Sequence, residues 1–255
     1  MIGAIAGDII GSVFEANPTK NKDFPLFSSR STFTDDSVLT VAVADAILSG
    51  RPYREAVWEI GRRYPRAGYG GTFISWLHSA DPQPYNSWGN GSAMRVSPVG
   101  FAFNQEEDVL RAARESAEIS HNHLEGIKGA QATALVIFMA RTGAEKEQIR
   151  NRISGLFGYD LSRSLDDIRP DYSFDVSCQG SVPEALIAFL ESSSYEDAIR
   201  NAVSLGGDAD TQACIAGGMA EAFYGGVPEP VRNEVMERLP PDLRRITEDF
   251  CQRFG

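Results

Sequence analysis

Several kinds of chemistry are scarce in this 255-residue sequence, which holds three cysteines, three histidines and 24 basic residues against 35 acidic ones. Cys178, Cys214 and Cys251 are odd in number, widely separated and in no C-x-x-C arrangement. That excludes a disulfide framework and a zinc ribbon, and it fits a reducing, cytoplasmic setting. His78, His121 and His123 lack the paired helical spacing of a zinc protease. A formal charge of −11 argues against a broad face for bulk nucleic acid, although cations and backbone amides can still hold a small nucleotide. The N-terminal apolar stretch has no basic region before it and is interrupted by Asp8. It reads as a buried first helix rather than a secretory signal or membrane span. No β-α-β alternation, internal repeat, low-complexity segment or domain linker is visible, which argues for one domain over residues 1–255.

What is present is helical periodicity. Apolar residues recur at three- and four-residue spacing over Ser37–Leu48, Val109–Ile119, Ile127–Ala140 and Ala213–Phe223, predicting helices that form most of the core. Further helices are expected over Ile2–Phe14, Arg54–Tyr64, Thr72–Ser79, Val182–Leu190, Tyr195–Val203 and Leu243–Phe254. Small residues crowd several of them, as in Ala213, Ala216, Gly217, Gly218 and Ala220, which permits close helix packing. The glycine-rich segment from Tyr64 to Pro98 reads as a mobile binding region. The stretch from Gly158 to Ser181 reads as a second irregular segment, with at most a short β-pair.

Two acidic clusters stand immediately before apolar helical runs near the two ends of the chain: Thr34-Asp35-Asp36-Ser37 and Asp208-Ala209-Asp210-Thr211. Either alone is explained by helix capping, since a carboxylate in the first turn accepts backbone N–H bonds and complements the helix dipole. Two together, each with a hydroxyl beside it, favour one divalent-metal site. Carboxylate and hydroxyl oxygens suit magnesium or manganese better than zinc. At the N-terminus, Gly7 and Gly11 in Gly7-Asp8-Ile9-Ile10-Gly11 admit close packing, with Glu15 expected at the end of the same helix. Taken alone, Asp8 reads as a polar interruption and Glu15 as a solvated carboxylate.

Together with Gly68-Tyr69-Gly70-Gly71, Gly89-Asn90-Gly91-Ser92-Ala93-Met94-Arg95 and Gly206-Gly207-Asp208-Ala209-Asp210-Thr211, these motifs resemble the ADP-ribosylglycohydrolase family over nearly the whole chain. The resemblance implies an all-α fold, a compact orthogonal helical bundle, with two neighbouring Mg2+ or Mn2+ ions at its centre. Thr34, Asp35 and Asp36 would hold one ion. Asp210 would bridge to a second, also held by Asp208 and Thr211, while Glu15, on a mobile segment, would ligate and gate substrate entry. Gly68, Tyr69, Gly70 and Gly71 would lie along a diphosphate. Ser87 and Trp88 precede the Gly89-Asn90-Gly91 turn, and Trp88 would stack on adenine, unless it anchors packing. His121 matches a histidine near ADP-ribose, with His123 as its neighbour. Val176 matches an apolar position beside the nucleotide; its other reading is core packing.

Cleaving an ADP-ribosyl linkage passes through a transition state with oxocarbenium character. Cations would orient the ribose hydroxyls and acidify the attacking water, and Glu15, Asp35 or Asp36 would move the proton. The expected substrate is an ADP-ribosylated protein or small molecule, handled by a monomer without a membrane. Clustered aspartates serve a two-metal nucleotide phosphohydrolase equally well. A noncatalytic ADP-ribose-binding or crystallin-like structural role is the third reading.

Overall fold

The computed structural model describes residues 1–255 and contains helices but no β-sheet. The first half runs through α1 (Ile2–Gly11), α2 (Asp35–Ser49), α3 (Tyr53–Arg63), α4 (Gly71–His78), α5 (Gly91–Met94), α6 (Ser97–Ala102) and α7 (Glu106–Glu118). The second half adds α8 (Leu124–Arg141), α9 (Lys146–Phe157), α10 (Leu165–Ile168), α11 (Cys178–Leu190), α12 (Tyr195–Val203), α13 (Ala209–Tyr224), α14 (Glu229–Arg238) and α15 (Pro241–Phe254). No β-pair forms within Gly158–Ser181; one isolated antiparallel bridge instead joins Ser177 to Gly89 in the other loop.

Helices that are apolar all round belong in the interior, whereas those with a single apolar stripe lie over it. Every residue of α1 is buried, as are most residues of α2, α8 and α13. By contrast α7 buries Val109, Ala112, Ala113, Ser116 and Ala117, and α15 buries Leu243, Ile246, Thr247 and Phe250, each a single stripe. α7 is therefore peripheral, and α1 takes the central place.

The crossing of α1 and α13 depends on two glycines. A methyl group on Gly7 would overlap the Ala213 carbonyl, and one on Gly11 would overlap the backbone at Ala209 and Asp210. The two backbones touch where side chains would hold them apart. Because Asp8 lies between these glycines and Asp210 lies opposite Gly11, this packing brings the chain's two ends to one place.

The Tyr64–Pro98 segment is not an open loop: it contains α4, α5 and the start of α6, and Trp76 is buried with its ring stacked on Phe73. α1 stops at Gly11, short of the expected Phe14, so Glu15 follows the helix in a turn. α11 begins at Cys178, where the Ser177 hydroxyl accepts from Gly180 N, and it carries Pro183 inside. α9 and α14 were not expected because each buries only two apolar residues, Ile149 and Ile153 or Val231 and Val235. No helix is long and apolar enough to cross a membrane.

Candidate active site

The site forms where α1, α2 and α13 meet, and Asp8 organises it. A buried carboxylate requires donors. The first turn of α2 supplies them: Thr34 N donates to Asp8 at 2.9 Å, Thr34 Oγ1 at 2.6 Å and Ser37 N at 3.1 Å, joined by Ser37 Oγ. Asp8 is thus no incidental polar interruption. It fixes the start of α2 and with it Asp35 and Asp36. The available signal was one charged residue in a run otherwise suited to full burial.

Capping and ligation are separated by the hydrogen bonds. The Thr34 hydroxyl caps α2 by accepting from Asp36 N, leaving the carboxylates of Asp35 and Asp36 free of that duty. Asp208 stands at the start of α13 without capping it by side chain, and instead accepts from Asn90 Nδ2 at 2.7 Å. Asp210 Oδ1 accepts from Thr211 N at 2.9 Å in the first turn of its own helix, but the other acidic side chains converge rather than close theirs.

Carboxylate oxygens of Asp8, Asp36 and Asp210 lie within 4.8 Å of one another, as do those of Glu15, Asp208 and Asp210. Asp210 belongs to both groups. Thr211 Oγ1 donates to Asp36 Oδ2 at 3.2 Å, while Asp36 Oδ1 is buried with no partner. Burial, followed by repulsion from Asp210, pushes Asp36 well above the usual carboxylate range; burial and Asp208 do the same to Asp210. Burial and then Asp8 push Asp35 up to about 8. Burial also raises Asp8, Asp208 and Glu15, with hydrogen bonds opposing it at Asp8 and Asp208 and the Asp208 charge adding to it at Glu15. An all-oxygen, mutually repelling donor set with an orphaned buried carboxylate oxygen fits a hard divalent cation.

A cavity of about 450 Å³ opens over these carboxylates. Gly68, Gly70 and Gly71 form one wall with Thr72 and Phe73. Gly68 has φ of +107°, and a side chain there would approach Asp35 Oδ1. Ser87, Gly89, Asn90 and Gly91 form another wall, backed by Tyr85, Arg95 and His121; Phe174 and Val176 complete the lining. Asn90 N donates to Val176 O at 2.8 Å and Cys178 N to Trp88 O at 2.9 Å, so the two loops are tied by backbone.

Thr34, Asp35, Asp36, Asp208, Asp210, Thr211 and Glu15 all line the cavity, as do the glycines, Ser87, Asn90, His121 and Val176. Tyr69 and Trp88 do not. Tyr69 is buried, its hydroxyl donating to Gly61 O at 3.1 Å and its ring packing on Phe73. Trp88 is half-exposed: at the Gly89–Ser177 bridge successive side chains face opposite ways, which sends the indole outward. The aromatic lining comes from Tyr85, Phe73 and Phe174 instead. His123 caps α8 by accepting from Glu125 N and is a helix-boundary residue. Val176 is half-exposed rather than packed in the core. Sequence reasoning missed Asp8, Tyr85, Arg95 and Phe174; nothing local distinguishes Phe174 or Tyr85 from loop aromatics.

A sequence model of the ADP-ribosylglycohydrolase family matches residues 1–255. ADP-ribosylhydrolase ARH3 of Mus musculus is 24% identical, with 98% of this chain and 86% of that protein aligned. ADP-ribosylarginine hydrolase Tri1 of Pseudomonas putida is 24% identical, with 88% of this chain and 69% of that protein aligned. A solved structure described as an ADP-ribosylglycohydrolase-related protein complex superposes with a TM-score of 0.73 at 23% identity, covering 100% of this chain and 97% of its own. Likeness at that identity concerns the fold, whereas the family match extends over the sequence from end to end. The chain belongs to the ADP-ribosylglycohydrolase family.

Proposed function

We propose that the protein hydrolyses the glycosidic bond between ADP-ribose and an acceptor on an ADP-ribosylated protein or small molecule, using two divalent cations, Mg2+ or Mn2+. The observation that carries this reading is the convergence of two acidic trios sharing Asp210 at the floor of a glycine-walled cavity. One cation would be held by Asp36 and Asp210 beside Asp8, and a second by Glu15, Asp208 and Asp210; Asp35, expected on the first ion with Thr34 and Asp36, lies in neither trio. When bound, they supply Lewis-acid polarisation of ribose hydroxyls and acidify the attacking water.

The chain's own residues do the rest. Gly68, Gly70 and Gly71 leave room for backbone N–H groups to approach a diphosphate, and Tyr85 or Phe174 offers a ring face to the base. Asp36, Asp208 and Asp210 are buried at the floor, whereas Glu15 is exposed and Asp35 is partly so. That ranking favours Glu15 or Asp35 for carrying a proton between water and the leaving group. The dispersed thiols support a cytoplasmic location, and the acidic composition supports a monomer with little affinity for bulk nucleic acid.

The test is incubation with magnesium and a panel of ADP-ribosylated arginine, serine, nucleic-acid-end and small-molecule substrates, measuring released ADP-ribose. We expect free ADP-ribose, with release abolished by chelation and by Asp36→Ala or Asp210→Ala. Release of AMP or inorganic phosphate would instead identify a phosphohydrolase, and binding without any product would identify a noncatalytic reader.

A further inference from the structure

Behind the Gly89–Gly91 wall lies a chain of three polar side chains that the proposed reaction leaves unexplained. Arg95 is fully buried on the residue following α5, and no carboxylate pairs with it. Its Nη2 donates to Ser116 O at 2.8 Å and to Ser120 Oγ at 3.0 Å, while Nε and Nη1 have no partner. Ser120 Oγ, also fully buried, is in turn 2.8 Å from His121 Nδ1.

Hydrogen-bond inventory determines the direction of this chain. A guanidinium can only donate, so Ser120 Oγ accepts from Arg95. The hydroxyl has one proton, and His121 Nδ1 is its only remaining partner. If Nδ1 donated instead, that proton would be buried without an acceptor, an arrangement that native interiors avoid. Nδ1 therefore accepts. In a neutral ring the proton is then on Nε2, the nitrogen facing the glycine turn: a Cβ at Gly91 would stand 3.0 Å from it and one at Gly89 3.6 Å. Nε2 has no protein partner, although His121 lines the cavity.

We propose that Arg95 and Ser120 are positioning residues that hold His121 as the neutral Nε2–H tautomer, a fixed donor aimed past Gly91 at an acceptor oxygen of the ADP-ribose portion of the ligand. The identity of that ligand rests on the proposed function; the tautomer does not. Burial, then the neighbouring Arg95 charge, hold the ring well below the usual histidine range, consistent with a neutral donor. His121 is thereby a binding residue with no proton to exchange. Gly91 and Gly89 serve it by leaving the path to Nε2 open.

Long-range 1H–15N correlation spectra of 15N-labelled, ligand-free protein at neutral pH test the assignment, with the His121 signals identified by their loss in His121→Gln. We expect a protonated Nε2 and an acceptor-type Nδ1. Ser120→Ala should give a mixture of tautomers and weaken ADP-ribose binding about five-fold, the worth of one misdirected hydrogen bond, while leaving Mn2+ affinity unchanged. A protonated Nδ1 or a charged ring in the unaltered protein would overturn the proposal. So would a Ser120→Ala protein that retains the pure Nε2–H form. The wild-type spectrum decides the tautomer even if Ser120→Ala does not fold. Absence of ADP-ribose binding in wild type would count against the proposed substrate while leaving the tautomer result intact.

Discussion

At the scale of single residues, the acidic side chains divide by what each carboxylate already holds. Asp8 accepts from Thr34 and Ser37 and so braces the ligands, whereas Glu15 is exposed at the cavity mouth with no hydrogen bond to hold it. Substitutions should separate the two. Asp8→Asn retains the shape but reverses half of the hydrogen-bonding sense, and should weaken Mn2+ binding about 10–100-fold, as loss of ligand-orienting partners generally does. Glu15→Gln should slow turnover at least about ten-fold while changing ADP-ribose affinity by less than about three-fold. Calorimetric Mn2+ and ADP-ribose titrations and steady-state kinetics read both; undiminished Mn2+ affinity in Asp8→Asn, or full turnover in Glu15→Gln, would refute the division. Much of this was legible in the sequence, since Asp36 and Asp210 announce themselves beside hydroxyls before apolar helices. Trp88 misled because residue type and motif position do not say which way a side chain points; that depends on one backbone bridge.

At the scale of elements, the decisive contact is α1 against α13. Gly7→Ala places a methyl group against the Ala213 carbonyl, where neither backbone can yield cheaply. Overpacking of this kind costs about 1–3 kcal/mol or more. Because the displaced helix carries Asp8, metal affinity should fall along with stability. Gly143→Ala is the comparison: its φ of +91° makes alanine strained, but nothing stands within 4 Å of the added methyl group. It should lower the melting temperature and leave metal affinity alone. Thermal melts with and without Mn2+ distinguish the pair, and a Gly7→Ala protein with full metal affinity would contradict the coupling. The central helices were readable because continuous small and apolar residues demand burial. α9 was harder, with two buried apolar residues, although Glu145 and Gln148 form a capping box whose spacing is visible in the sequence.

At the scale of the molecule, six carboxylates brought together in a partly buried space tie stability to pH and to cations. Where a folded-state carboxylate pKa lies above its unfolded value, the native state holds protons that the unfolded chain releases, so stability falls as pH rises through the interval. For Asp35 that interval runs from the ordinary 3.8 to about 8, and Asp36 and Asp210 are raised in the same direction. His121, held neutral by burial, acts in the opposite sense below its ordinary 6.5, as one group against this set. In chelator, the protein should therefore melt lower at about pH 8 than at about pH 5, and excess Mg2+ should raise the melting temperature more at the higher pH. A magnesium effect independent of pH would disprove the linkage. The convergence that creates this linkage was not spelled out by periodicity, which gives helices but not their crossings; the ordered motifs supplied it. The same convergence bears on how the protein comes into being. Gly3 is bonded to Tyr195 and Glu221, 192 and 218 positions away, so α1 leaves the ribosome long before its partners exist. An emerging chain must keep that apolar helix from aggregating until nearly the whole sequence has been translated, and contacts of such separation fold slowly. A product ending before α13 would have no place to shelter α1 and no second half of its acidic floor, so the fold waits until both halves have been made.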